Sequence, residues 1–371
     1  MAKKKQIIVS VTNDLFTDQR VRKVCEFLVE QNYEVTLVGR KLKQSKPLLK
    51  TPYKTKRFPL WFTKGALFYA NYNLRLFFYL LFHRADVLLS NDLDTLLANY
   101  CAKKLKRKCK LVYDSHEYFT QVPELVTRPK IQKIWTKIER FTVPKVDEMY
   151  TVNESIAKAY RAAYNRKVKV VRNISDFKGL KEIKTRKELN LPEDKFIIIL
   201  QGAGINIDRG GEEMIEAMKH LTGVMLIFVG DGDVIPTLKN QVKKNQLSET
   251  VRFYGKRPYA ELMNFTMVSD LGLSLDKDTN VNYRFSLPNK IFDYIHAGIP
   301  LLVSDLVEVK NIVETYEVGY VLKSHQPEEI AHKIEGIMSD KKRLQSCKEN
   351  TIKAAKQLNW QQEKQVLKTI F

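Results

Sequence analysis

The sequence has few cysteines and no long apolar run. Each absence argues against particular classes of protein. Its four cysteines include no CxxC pair, and no histidine stands at metal-ligand spacing from them. This usage predicts free thiols in a reducing compartment and no metal site. The apolar run after the basic start breaks at Thr12, so it predicts a first β-strand and not a signal peptide. We therefore expect a cytoplasmic protein.

Acidic residues are also scarce relative to basic ones: 42 Asp and Glu face 63 Lys and Arg, for a net charge of +21. Such an excess indicates an anionic partner, which could be nucleic acid, an anionic membrane face or a phosphorylated substrate. The alternative is solvated lysine on helix surfaces. Because the sequence contains no nucleic-acid-binding motif, nucleic acid is not an expected partner.

Short β-rich apolar runs alternate with amphipathic stretches along all 371 residues. This alternation predicts α/β domains with parallel sheets. A polar, lysine-rich stretch at 175–194 has no strand pattern, and the domain boundary is placed at its start. We expect one Rossmann-like domain at 1–174 and a second at 175–357, with a final helix at 358–371 that can cross back to the first.

Polar residues follow the predicted strands at seven places. Parallel sheets bind ligands outside the carboxyl ends of their strands, so we expect both sheets to line one central cleft. The residues at these places are Asn13-Asp14, Asn91-Asp92, Ser115-His116-Glu117, Asn153-Glu154, Gln201-Gly202, Gly230-Asp231-Gly232 and Asp276.

The most specific segment is 286–300, with the sequence SLPNKIFDYIHAGIP. Ser286 is a good N-cap and Pro288 suits a first helical turn, so the pattern predicts a helix at 287–297. Gly298 is the expected terminating residue. The free backbone N–H groups at the start of such a helix are suited to a phosphate.

Lys290 and Asp293 lie three residues apart, on one face of this predicted helix. A cation near phosphates and a carboxylate for ribose hydroxyls make a sensible nucleotide-binding pair. The alternative is a surface salt bridge worth a few tenths of a kcal/mol.

The same segment resembles the signature of retaining glycosyltransferases of family 4, which reads P-x-K-x-x-E-Y-x-A-x-G-x-P-V and belongs to the two-domain GT-B fold. Asp293 stands where glutamate is usual, His296 where alanine is usual, and Phe285 where many members carry an earlier glutamate. The resemblance implies that Lys290 and the preceding backbone face the donor diphosphate, and that Asp293 binds the ribose. Donor contacts are therefore expected from Ser286, Leu287, Pro288, Asn289, Lys290 and Asp293.

The run 196–211 resembles the strand, glycine loop and helix start of the family's donor domain. Gly202 and Gly204 allow close approach of a ligand, and Arg209 is a planar donor suited to phosphate. The resemblance implies that Arg209 neutralises the donor diphosphate. The run is no dinucleotide fingerprint, because that pattern needs glycine at the position of Ile207.

In the first half, Asp114-Ser-His-Glu117 resembles the family's D-x-H-E loop. The resemblance places His116 beside the transferred sugar, with Glu117 on the acceptor side. The stretch from Thr12 to Arg22 resembles the family's first loop and helix, with Asp18 as the N-cap of that helix. The resemblance implies that Asn13 and Asp14 lie on the acceptor side. There Arg20 either reaches the acceptor or is solvated.

Residues 54–84 combine many aromatic side chains with scattered lysine and arginine, but polar residues interrupt every apolar window. The stretch therefore does not predict a spanning helix. An aromatic helix with basic flanks can lie in a membrane interface and hold a lipid-linked acceptor. We favour that interpretation for 61–69 and ordinary packing on the sheet for 77–82.

Taken together, these resemblances imply a retaining glycosyltransferase that moves a hexosyl group from a UDP- or GDP-sugar to a sugar or lipid-linked hydroxyl acceptor. Catalysis is assigned to His116, Arg209 and Lys290, with no obligatory metal or other cofactor. Synthesis of surface polysaccharide or glycolipid is the expected role, with peripheral attachment to the inner face of the cell membrane. The alternatives are a nucleotide-sugar epimerase on the same fold and a basic nucleic-acid- or membrane-binding protein.

Overall fold

A computed structural model describes residues 4–16, 18–48, 50–106, 108–180 and 182–371. Thr17, in the first loop, lies outside these described residues. The chain forms two compact units. The first contains the described residues up to Arg172 together with Lys364–Phe371, and the second contains Asn173–Glu363.

The first unit is a βα unit with a seven-stranded sheet in the order β3-β2-β1-β4-β5-β6-β7. All neighbouring strands are parallel. Its elements are β1 (Gln6–Ser10), α1 (Gln19–Glu30), β2 (Glu34–Lys41), β3 (Lys54–Pro59), α2 (Gly65–Phe82), β4 (Val87–Asn91), α3 (Leu93–Leu105), β5 (Lys110–Ser115), α4 (Pro123–Val126), α5 (Pro129–Thr142), β6 (Glu148–Thr151), α6 (Glu154–Tyr164) and β7 (Lys169–Val170).

The chain's last residues return to this first sheet. Tyr33 donates a hydrogen bond from its hydroxyl to the carbonyl of Phe371 at 2.8 Å, and Lys110 donates one to the carbonyl of Ile370 at 2.5 Å. The carbonyls at the end of the chain thereby receive partners from Tyr33, directly before β2, and from Lys110, the first residue of β5. Lys364–Phe371 are thus fixed to the first unit by hydrogen bonds as well as by packing.

The second unit has a six-stranded parallel sheet in the order β10-β9-β8-β11-β12-β13. Its elements are β8 (Phe196–Gly202), α7 (Gly211–Ala217), β9 (Val224–Gly230), α8 (Ile235–Lys244), β10 (Val251–Gly255), α9 (Tyr259–Met267), β11 (Leu271–Ser274), α10 (Val281–Arg284), α11 (Lys290–Ala297), β12 (Leu301–Ser304), α12 (Val307–Tyr316), β13 (Gly319–Leu322), α13 (Pro327–Ser339) and α14 (Lys341–Ala355), followed by α15 (Trp360–Lys368).

Helices cover both faces of the second sheet, so its central strands are apolar throughout. Residues 197–200 on β8 are almost completely buried, and they alternate between two separate hydrophobic clusters, one on each face. A strand that is buried on both faces has a continuous apolar sequence, which is typical of parallel sheets with helices on both sides. The predicted fold class, α/β with two parallel Rossmann-like sheets, is confirmed.

Two of the predicted capping residues, Asp18 and Gly298, have that role in the structure. The Asp18 side chain accepts a hydrogen bond from the backbone N–H of Val21 at 3.0 Å, so it caps α1. Gly298 ends α11 in the left-handed region, at φ 77°. The sequence patterns do not predict β3. Its sequence is KTKRFP, and a single buried residue, Phe58, is too little to produce an apolar pattern.

The start of α11 differs from the expectation. The helix begins at Lys290 with Asn289 as its N-cap, so Ser286 is not the cap and Pro288 precedes the first turn. The reason is the short helix α10, whose last turn is closed by a hydrogen bond from the Ser286 N–H to the carbonyl of Tyr283 at 3.0 Å. Residues 286–288 therefore connect two helices.

Helix α2 packs on the first sheet through one stripe, formed by Phe68, Tyr72, Leu76 and Leu80. The expectation that residues 77–82 pack on the sheet is wrong for Phe78 and Phe82, which are 47% and 78% exposed. Side chains four residues apart share a helical face, so these two belong to the opposite side from the buried stripe. No helix in the described part of the chain is long and apolar enough to cross a membrane.

Candidate functional site

Each sheet has one position where the order of its strands reverses. In the second unit this position lies between β8 and β11, which are neighbours in the sheet although two strands separate them in the chain. Such a reversal opens a crevice at the carboxyl ends of the two strands, where ligands of this fold class bind. The loop after β8 leads to Arg209, and the residue two positions past the end of β11 is Asp276.

Arg209 and Asp276 meet at this position. The guanidinium donates a hydrogen bond to a carboxylate oxygen of Asp276 at 2.7 Å, and the carboxylate is only 3% exposed. The guanidinium also lies over the ring of Tyr283, 4.3 Å from its centroid. Contact with a ring and a carboxylate orients the planar group.

Lys290 approaches the same carboxylate from the first turn of α11. Its ammonium nitrogen lies 4.0 Å from the second oxygen of Asp276, and its side chain is 11% exposed. Burial lowers the pKa of Lys290, as does the nearby charge of Arg209, and Asp276 acts in the opposite direction. We call the group of Arg209, Asp276, Tyr283 and Lys290 the basic site.

The other predicted residues of 286–300 fall into two groups. Ser286, Leu287, Pro288 and Asn289 are partly exposed and lead into α11, directly before Lys290. Asp293 is 6% exposed and accepts hydrogen bonds from the Tyr259 hydroxyl at 2.8 Å and from the Gln201 amide at 3.2 Å. Its carboxylate is therefore held by two neighbouring side chains.

The glycines at and just past the ends of β8 and β9 have different roles. Gly202 has φ 150°, and a side chain at Gly230 would overlap the carbonyl oxygen of Gly202. The ends of the two strands thus approach too closely for any other residue at Gly230. A side chain at Gly204 would meet only one atom within 4 Å, at 3.9 Å, so this position leaves open space above the end of β8.

On the first sheet, Arg20 forms a buried ion pair. Two of its nitrogens donate to the two carboxylate oxygens of Asp114, at 2.7 and 3.0 Å, and a third donates to the carbonyl of Val171 at 2.9 Å. Arg20 is 3% exposed and Asp114 is fully buried. The burial of Arg20 rules out the alternative that this side chain is solvated. Its contacts in the described chain hold Asp114 in place.

His116 lies on the other side of Asp114. Its Nε2 is 3.2 Å from an Asp114 oxygen, and its Nδ1 is 3.3 Å from an oxygen of Asp92. Burial alone lowers the pKa of His116, but the charges of Asp92 and Asp114 outweigh it and raise the pKa to about 9. The imidazole is consequently a cation at neutral pH. We call Arg20, Asp92, Asp114 and His116 the His116 cluster.

Asp92 occupies a backbone conformation that is unusual for a residue with a side chain, at φ 57°. It also accepts a hydrogen bond from the His116 backbone N–H at 2.9 Å. Strained backbone at the end of a strand is a feature that clusters at functional sites. Two residues further on, burial and the charge of Asp92 raise the pKa of Asp94 to about 7, and Asp94 accepts a hydrogen bond from Thr12 at 2.6 Å.

The remaining predicted residues of the first unit shape its loops. The Asn13 side chain donates to Asp18 at 2.8 Å and accepts from the Leu15 N–H at 2.9 Å. Asp14 accepts from the Phe16 N–H at 3.2 Å. Glu117 is partly exposed, directly after His116, and its carbonyl accepts a hydrogen bond from Ser115 at 2.7 Å.

Sequence reasoning did not assign roles to Asp276 and Tyr283, the residues that position Arg209. The sequence did contain a signal for Asp276, because this polar residue directly follows a predicted strand. Tyr283 had none, because an aromatic residue in a polar connection has no periodic pattern. The described residues contain no group of three or more His, Cys, Asp and Glu placed to hold a metal ion.

Comparisons with known proteins agree with this architecture. A sucrose-phosphate synthase from Thermosynechococcus elongatus matches 99% of this chain and 98% of its own, with a TM-score of 0.79 and 16% identity. HepE of Anabaena, solved in complex with UDP, matches 99% of both chains with a TM-score of 0.73 and 16% identity. Two parallel Rossmann-like units with these structural neighbours define the GT-B class of glycosyltransferases.

The family follows from the sequence itself. The family model described as Glycosyl transferases group 1 matches residues 181–354, and the model described as Glycosyltransferase Family 4 matches residues 18–177. The chain belongs to this family of glycosyltransferases.

A curated relative is the chitobiosyldiphosphodolichol beta-mannosyltransferase of Candida albicans, which is 22% identical over 184 residues. The match covers 46% of this chain and 39% of that enzyme. The chain thus aligns with about two fifths of the length of this relative.

Proposed function

We propose that the protein transfers a hexosyl group from a UDP- or GDP-sugar to a hydroxyl acceptor, with retention at the anomeric carbon. The observation that carries the proposal is the basic site. Two cations from separate elements, Arg209 and Lys290, meet one buried carboxylate at the strand reversal of the second sheet. A diphosphate is a stronger partner for two cations than a single carboxylate is, because it offers more charge and more acceptors.

The chemistry assigned to this site is charge stabilisation. As the bond to the sugar breaks, negative charge develops on the departing diphosphate, and fixed cations and backbone N–H groups at the start of α11 favour that state. The reaction then needs no obligatory metal ion. HepE, a structural neighbour, was solved with UDP and with UDP-glucose, which supports a nucleotide-sugar donor here.

The acceptor is proposed to be a sugar or a lipid-linked sugar, in the synthesis of surface polysaccharide or glycolipid. The name of the Candida albicans relative specifies a dolichol-diphosphate-linked acceptor, which supports the lipid-linked form. His116 and Glu117 would face the transferred sugar and the acceptor. We propose a cytoplasmic enzyme attached peripherally to the inner face of the cell membrane.

Calorimetric titration with a panel of UDP- and GDP-sugars tests the donor assignment. Arg209→Ala and Lys290→Ala are each expected to weaken binding about 10- to 100-fold, the value of a hydrogen bond to a charged group. Arg186→Ala is a matched control, because Arg186 forms a 2.7 Å ion pair with Asp270 and is 18% exposed in the same unit. It should lower stability and leave donor binding unchanged. Unchanged binding in both test variants would show that the basic site is not the donor site.

Two further measurements test the reaction. The anomeric configuration of the product, followed by NMR from the start of turnover, should match that of the donor. Turnover should be the same with and without EDTA. Inversion contradicts retention, loss of activity in EDTA contradicts metal independence, and release of an epimer of the donor contradicts transfer itself.

A further inference from the structure

The first unit contains an apolar groove that the proposed reaction leaves without a role. It has a volume of about 590 Å³ and is formed by α2, α3, α4 and α5 with the segment before α4. Most of its wall is hydrocarbon, from Leu93, Leu97, Phe119, Leu125, Ile134 and Trp135. A wall of this kind gains free energy by taking an apolar ligand out of water.

The groove leads to polar groups of the acceptor side. Asp94 and Glu117 are among its lining residues: Asp94 lies in the first turn of α3, and Glu117 lies two residues past the carboxyl end of β5. Glu117 is the direct neighbour of His116. An elongated ligand in the groove would therefore place one polar end next to the His116 cluster.

Apolar side chains also continue outside the groove. Ile131 and Ile134 on α5 line it and are still 42% and 58% exposed.

Helix α2 continues this surface. Four of its residues line the groove: Ala66, Tyr69, Ala70 and Asn73. Leu67, Leu74 and Phe78 lie exposed on the adjoining strip of the same helix. The groove thus opens onto an apolar surface.

Exposed basic residues outnumber acidic ones around this surface. Helix α5 carries Lys130, Lys133, Lys137 and Arg140 in exposed positions outside the groove lining, while Glu124 on α4 is an exposed acid that lines the groove. Arg128, directly before the helix, lines the groove. Cations beside exposed apolar residues are complementary to the phosphates of a lipid. They also oppose a second copy of this chain, which would bring like charges together.

We propose that this groove holds the hydrocarbon chain of an anionic, lipid-linked acceptor, with the hydroxyl-bearing head group toward Asp94 and Glu117. The proposal rests on the proposed function, since it names the class of acceptor for the same reaction. A hydrocarbon chain suits the wall because it has no hydrogen-bonding groups to satisfy. The phosphate, which joins the chain to the head group, is assigned to Arg128 in the groove wall.

Dodecyl phosphate below its micellar concentration is a suitable probe, with binding followed by calorimetry and by the fluorescence of Trp135 in the groove wall. Ile134→Asp is expected to weaken binding by about tenfold or more, because it places a carboxylate in the apolar wall that contacts the hydrocarbon chain. Ile352→Asp is the matched control, since Ile352 is an apolar helix residue of the second unit with 59% exposure. Inorganic phosphate alone should not reproduce the signal.

Binding of UDP and GDP, measured on the same samples, separates the two proposals. If both nucleotides bind normally and Ile134→Asp binds dodecyl phosphate as tightly as the unchanged protein does, the groove proposal fails and the donor assignment stands. If neither nucleotide binds to the unchanged protein, the proposed function fails first. If Ile134→Asp converts a dimer into a monomer without changing dodecyl phosphate binding, the groove is an interface between copies, and the proposal is overturned.

Discussion

Arg209 and Lys290 come from elements 81 positions apart in the sequence, yet both lie within 4.0 Å of the carboxylate of Asp276. Arg209 forms a hydrogen bond at 2.7 Å, whereas Lys290 makes only a charge contact at 4.0 Å. In the described chain, the Asp276 oxygen nearest Lys290 is buried and accepts no hydrogen bond. Asp276 therefore balances the charge of the basic site and also competes with any anion that binds there.

This relationship predicts opposite effects for Asp276→Asn on stability and on binding. The free protein should lose about 1 to 3 kcal/mol of stability, because two partly buried cations lose their counter-charge. UDP or GDP should bind more tightly, because the diphosphate no longer competes with a carboxylate. Thermal unfolding with and without nucleotide measures both effects. A nucleotide-induced rise in Tm smaller than that of the unchanged protein would contradict the assignment.

Two neighbouring arginines of α1 should differ strongly in their effect on stability. Arg20→Ala removes the two-bond partner of buried Asp114 and leaves it the contact with His116, which should cost about 3 kcal/mol. Arg22→Ala removes an ion pair with Glu26 whose side chains are 57% and 37% exposed, and should cost less than about 0.5 kcal/mol. Urea unfolding of both variants is the measurement. Equal losses would mean that the Arg20 pair is solvated in the protein.

The raised pKa of His116 makes stability depend on pH in a defined window. The folded pKa is about 9, against 6.5 for the ordinary side chain. The contribution of the protonated imidazole is therefore complete below pH 6.5 and is lost as the pH rises through 9. The Tm difference between the unchanged protein and His116→Gln should shrink across this window. His83→Gln, at an exposed histidine, serves as the control, and a difference that grows with pH would reverse the assigned sign.

Two glycines allow a test of the close approach of β8 and β9. Gly230→Ala places a methyl group on the carbonyl of Gly202 at φ 147°, and should cost about 3 kcal/mol or more. Gly336→Ala lies inside α13 with no atom within 4 Å of the added carbon, and should stabilise the protein by about 0.5 to 1 kcal/mol. Chemical denaturation of both variants gives the comparison. A mild effect at Gly230 would mean that the two strand ends can separate.

The elements of the fold could be predicted from local sequence patterns. The alternation of apolar strands and amphipathic helices was visible because each element repeats with its own period. The cap at Asp18 and the terminator at Gly298 were visible because a single residue carries each signal. By contrast, the edge strand β3 has too few apolar residues to show a pattern, and the start of α11 depended on how the short helix α10 closes.

The sequence by itself determined the α/β class, the alternation of elements, and the segment around Lys290 that resembles the family signature. Only the tertiary structure decided the partners of the charged residues. Arg209 pairs with a carboxylate 67 positions away, and Arg20 with one 94 positions away. The physical reason is the parallel sheet, which brings the carboxyl ends of distant strands to one edge and so sets which charges meet. Periodicity describes which side of an element is buried, and it carries no information on what lies opposite.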